Sequence, residues 1–125
     1  MKVLVLSLVV LAAMSASAME PNQQVDMIMQ QPLVQQPSLL GCTVTKDAAG
    51  VPQTTIADGD YAALQTQETA AATTRISQLV AVYVGAGSDT TSATVVATKL
   101  VNAKMAQEIR NVYVASATAA LVANP

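Results

Sequence analysis

The chain contains no histidine, no tryptophan and no phenylalanine. Without histidine there is no ordinary general base near neutral pH, no Ser-His or Cys-His pair, and no imidazole ligand for a metal. Aromatic residues are reduced to Tyr61, Tyr83 and Tyr113, and charged residues to 11% of the sequence. The charges are scattered, which excludes the basic footprint of a nucleic-acid binder and the acidity of a polyanionic tail. These absences predict a non-enzymatic protein without cofactor or metal. A core built mainly from Ala, Val, Leu and Ile is thin, because alanine buries little area.

Cysteine is nearly absent too: Cys42 stands alone. In an oxidising compartment a single thiol suits an intermolecular disulfide, and the plainer alternative is a small buried hydrophobe. Leu39-Leu40-Gly41-Cys42 spells a lipobox, but Gln and Pro precede it where an apolar run is required.

That apolar run lies at the front. Residues 1–18 read MKVLVLSLVVLAAMSASA: Lys2, then a nearly unbroken apolar stretch from Val3 to Ala13, then Ala16-Ser17-Ala18. This order of basic, apolar and small-x-small parts predicts a signal peptide cut between Ala18 and Met19. Spanning a bilayer takes about twenty apolar residues, so no membrane span is expected here or later. Removal of residues 1–18 leaves 107 residues, with five basic and eight acidic groups and a formal charge of −3. The expected localisation is extracellular.

Residues 19–38 are rich in Gln and carry Pro21, Pro32 and Pro37, and Gln30-Gln31-Pro32 recurs as Gln35-Gln36-Pro37. The expectation is a disordered or polyproline-like arm. In residues 39–57, Leu40, Cys42 and Val44 alternate with Gly41, Thr43 and Thr45, while Gln53 to Ile56 can return as a second short strand. This is an irregular segment or a short β-hairpin, which needs a surface to lean on.

From Asp58 the texture becomes helical. Ala-rich sequence runs without Pro, and without Gly between Gly59 and Gly85. Asp58 or Asp60 is placed to cap one helix, Ser88 or Asp89 the next, and Gly85 is placed to take a left-handed stop. Ile76, Leu79, Val80 and Tyr83 share a face of the first helix; Val101, Met105, Ile109 and Val112 share a face of the second. The fold class predicted is mainly α: an antiparallel hairpin of helices at about 58–84 and 89–122. The β-branched residues of 79–84 and 112–118 are the main argument for strands instead.

Motifs for chemistry fail on inspection. Asp58-Gly59-Asp60 begins like a Ca²⁺ loop, but position 69 is Thr where a Glu is required. Gly85-Ala86-Gly87-Ser88 lacks the Lys of a phosphate-binding loop. The function expected is therefore that of a secreted structural or interaction protein, working by self-association or by binding an extracellular protein. Its eight stripe residues would form the association surface, with Cys42 able to lock a pair. An amphipathic helical carrier for lipid or another small apolar ligand is the alternative.

Overall fold

A computed structural model describes residues 20–124 of the chain. The segment expected to be a signal peptide, and the expected cut between Ala18 and Met19, lie outside the described residues. Among the described residues, three helices and one two-stranded sheet follow in the order α1 (Pro21–Gln30), β1 (Cys42–Lys46), β2 (Pro52–Ile56), α2 (Asp58–Gly85) and α3 (Thr90–Ala123). The long pair, of 28 and 34 residues, is the predicted hairpin.

Local chemistry sets the ends of that hairpin. Asp89 caps α3, its carboxylate accepting from the Ser92 N–H at 3.0 Å. The left-handed position after α2 is Gly87 (φ +107°), two residues beyond the expected Gly85, which stays helical. Around it the Ser88 N–H donates to the Tyr83 carbonyl and the Gly87 N–H to the Val84 carbonyl, both at 3.0 Å. This double closure is a Schellman stop. Neither Asp58 nor Asp60 caps α2. Ala57 holds the N-cap position, and both acids lie in the first turn, where they complement the positive end of the helix dipole.

The β-branched residues do not divert these segments into strands. Several hydroxyls bond back to the preceding turn, as in Thr94 to the Thr90 carbonyl (2.8 Å) and Thr73 to the Thr69 carbonyl (3.0 Å). Packing decides the rest. Buried α2 positions step through Leu64, Glu68, Ala72, Arg75 and Leu79; α3 buries Ala93, Ala97, Val101, Val112 and Ser116. Glu68–Ala72–Arg75–Leu79 and Val101–Met105–Glu108–Val112 share a 4-3-4 spacing. Eleven residues per three turns exceeds the 3.6 period slightly, so the contact line drifts around each helix as it ascends.

Residues 21–30 correct the expectation of an unstructured arm, because they form α1. Pro21 is a starter here rather than a breaker: at the first helical position it has no N–H to waste and its φ is already helical. The Glu20 N–H donates to Gln23 Oε1 at 3.3 Å. Ten residues make a marginal helix alone. Val25, Ile28 and Met29, at helical spacing, supply the remainder by packing on α2 and α3, followed by Leu33 from the next turn.

The hairpin forms as expected and finds its support. β1 and β2 are antiparallel with Cys42 opposite Ile56, Val44 opposite Thr54 and Lys46 opposite Pro52. Asp47 organises the turn, its Oδ1 accepting from the Ala49 and Val51 N–H groups at 2.9 Å, with Gly50 at φ +80°. The sheet leans on α3 and buries Ile56.

The core is split. One cluster, near the α2–α3 turn, joins Val25, Ala72, Leu79, Ala97 and Val101. The other joins Leu40, Ile56, Leu64 and Val112 at the opposite end. Thus α1 roofs the first and the sheet the second.

Candidate functional site

The eight residues expected to form an association stripe face inward. Leu79 and Val101 are fully buried and Val112 nearly so. Ile76, Val80, Tyr83 and Met105 pack half-buried on the first cluster, and Ile109 on the second. The argument that a bare two-helix hairpin must recruit a second copy to hide this stripe assumed a free arm. Here α1 and the sheet do the covering.

Cys42 occupies the inward side of β1, half-buried against the second cluster. Its thiol points to the Thr43 carbonyl at 3.9 Å, the weak contact of a small hydrophobe.

A buried polar group between α2 and α3 escaped the sequence reading altogether. Arg75 reaches from α2 to the end of α1. Its Nη1 donates to the Ile28 and Gln31 carbonyls at 2.8 and 2.9 Å, and Nη2 to the Pro32 carbonyl at 3.1 Å. The Ile28 and Gln31 carbonyls are among those that a helix C-terminus leaves without partners, and a cation there also meets the negative end of the helix dipole. From α3, the Glu108 carboxylate accepts the next two amides, Leu33 N–H at 2.8 Å and Val34 N–H at 3.3 Å. Side chains from two helices thereby hold a single turn of backbone, carbonyls on one side and amides on the other.

Glu68 lies behind this clasp, 1% exposed, hydrogen-bonded to Glu108. Its other oxygen, Oε2, is buried without a partner. Burial, then the hydrogen bond and the negative charge of Glu108, push its carboxyl up to about 7, against the opposing pull of Lys104. Lys104 Nζ lies 4.0 Å from the Glu108 carboxylate. Burial pulls Arg75 below its usual value while Glu108 counters. The signal available in the sequence was placement: Glu68 and Arg75 sit on the same helical face as Leu64, Ala72 and Leu79, where apolar residues are expected.

The outer side of α3 is the second feature. Val96, Leu100, Val114 and Leu121 are each 37–55% exposed. They follow one another by four, fourteen and seven residues, close to whole turns, so they line one face. Ala103, Gln107 and Thr118 fill the same face, and Lys99 and Arg110 flank it.

A surface depression of about 260 Å³ lies where the segment before β1 crosses α2, bordered by Ser38, Leu39, Leu40, Asp60, Ala63 and Gln67. It is below the usual size of a small-molecule pocket. Asp60 is already engaged there, accepting from the Gly41 N–H at 2.8 Å. Among the described residues, no three His, Cys, Asp or Glu side chains converge as a metal site would require. No described helix is long and apolar enough to cross a membrane. Comparison with protein-family models, with curated proteins and with solved structures found no match.

Proposed function

We propose that the chain is a secreted, non-enzymatic protein that works by self-association, pairing through the outer face of α3. The observation that carries this is the exposed line Val96, Leu100, Val114 and Leu121 on a helix whose other side is already buried in the core. Singly exposed apolar residues are ordinary; a collinear set about 38 Å long is an association surface. A second copy is the occupant that fits it. Leu100 and Val114 stand seven residues either side of Gln107. A two-fold antiparallel pair centred on Gln107 would therefore set Leu100 of one copy against Val114 of the other, twice. Such self-complementarity is what an isologous dimer needs. The small Ala103 and uncharged Gln107 let the helices approach at the centre. Secretion is supported by the form of residues 1–18.

Light scattering on residues 19–125 over a range of concentrations tests this. A dimer is expected, and Leu100→Glu with Val114→Glu should weaken it by tenfold or more while leaving the helical circular dichroism intact. A wild-type chain that stays monomeric throughout contradicts the reading. The same chain titrated with phospholipid vesicles separates self-association from the lipid-carrier alternative, which requires binding to the vesicles.

A further inference from the structure

We infer that residues 20–34 form a releasable strap over the first core cluster, latched by one proton held between the carboxyls of buried Glu68 and half-buried Glu108. The inference stands independently of self-association.

The geometry leads to it in three steps. First, Arg75 and Glu108 fasten the strap to the hairpin through its backbone: Arg75 takes the carbonyls of Ile28, Gln31 and Pro32, and Glu108 takes the amides of Leu33 and Val34. Second, Glu108 must be ionised to accept from both amides well, and it also shares a hydrogen bond with Glu68. Two carboxylates cannot make that bond. A proton on Glu68 can: Glu68 donates, Glu108 accepts, and one negative charge is left to serve the strap. Third, Glu68 has nowhere to send a charge of its own, being 1% exposed with Oε2 already unpartnered.

The charged groups facing Glu68 are Glu108 and Lys104 from α3; Arg75, further along its own helix, acts on Glu108. From α1 and the turn after it the clasp receives main-chain atoms, while Glu20 and Asp26 are exposed. Loss of the shared proton therefore places two like charges in contact. Separating them means moving Glu108 off the Leu33 and Val34 amides or opening the α2–α3 seam beneath the strap. An open strap uncovers the part of the first cluster that Val25, Ile28 and Met29 now help to close. Carboxyls that share one proton at contact distance behave in this way generally.

The sign follows from the elevation of Glu68 from 4.5 to about 7. Opening that returns Glu68 to water moves it back toward 4.5, so closure is then strongest on the acid side, weakens as pH rises toward 7, and levels off above it. Hydrogen exchange of the Leu33 and Val34 amides in the full chain, at pH 5 and pH 8 and corrected for the intrinsic effect of base, reads this directly. Protection is expected to fall at least tenfold in the wild type and to stay level in Glu68→Gln, whose amide donates to Glu108 at every pH. Lys104→Met should move the wild-type midpoint to higher pH, because Lys104 favours the ionised form, and this variant serves where Glu68→Gln does not fold. Unchanged protection in the wild type, an equal fall in Glu68→Gln, an unmoved midpoint in Lys104→Met, or simultaneous loss of the Leu79 and Val101 amides would each overturn the latch.

Discussion

The two ends of the hairpin are roofed by different means. Over the first cluster, α1 is tied down by buried charge: a guanidinium and a carboxylate grip its last carbonyls and the amides that follow. Over the second cluster, the exposed Asp60 carboxylate takes the Gly41 N–H at 2.8 Å, while the buried ties of the segment before β1 and the sheet are neutral. The Leu40 N–H donates to Ser116 Oγ at 2.8 Å, and that hydroxyl donates to the Val112 carbonyl at 2.7 Å. Leu40, Ile56 and Val112 close around them, and Tyr61 meets Tyr113 edge-on at 6.0 Å. A neutral, fully satisfied tether holds at any moderate pH. A charged one, with a buried carboxyl behind it, holds only in a particular protonation state. The same helical pair thus carries one roof with a charged clasp backed by a buried carboxyl and one whose buried ties are neutral.

The comparison can be broken most forcefully from within the first cluster. Leu79→Ala removes a side chain with no exposure and should cost about 3 kcal/mol in a denaturant titration, a cavity the thin surrounding core cannot collapse to fill. Next in size is Arg75→Met. Loss of three carbonyl partners should destabilise by about 2 kcal/mol, with the arm becoming protease-sensitive while the sheet end stays protected. If both ends loosen together, the two roofs are not separate. Ser116→Ala is the matching cut at the other end. It strands the buried Leu40 N–H and should cost about 1.5 kcal/mol, with no pH dependence of its own between 5 and 8. Smallest is Gly87→Ala, about 1 kcal/mol, since a methyl group at φ +107° strains the turn common to both helices; it should lower melting temperature without distinguishing the ends.

How much of this could be read beforehand divides along the same line. The hairpin, its Asp89 cap and its apolar faces follow from spacing that any helix must obey, and the two strands from alternation in 40–45 and return in 53–56. Gly85 and Gly87 were harder to separate, because either can stop a helix and only the hydrogen bonds to Tyr83 and Val84 select the second. The arm was misjudged on composition. Its glutamines and prolines suggested chain entropy would prevail, yet Pro21 sits where proline favours a helix and Val25, Ile28 and Met29 had a groove to fill. The clasp was invisible for a related reason. Arg75 and Glu108 gain their meaning from backbone more than forty residues away, a distance no local pattern reports. With the arm docked, the stripe that looked like an interface became interior, and the outer face of α3 took its place as the exposed apolar line.

The contrast between the two roofs rests on one proton at Glu68. The difference in unfolding free energy between the wild type and Glu68→Gln, followed by denaturant titration across pH 4.5 to 8.5, cancels every titrating group not coupled to Glu68 and leaves the Glu68–Glu108 pair. Glu68 is raised in the folded state, so wild-type stability relative to the variant should be greatest at the acid end, decline as pH climbs toward 7, and be flat beyond. A difference that does not vary with pH, or one that grows on the alkaline side, would contradict the account.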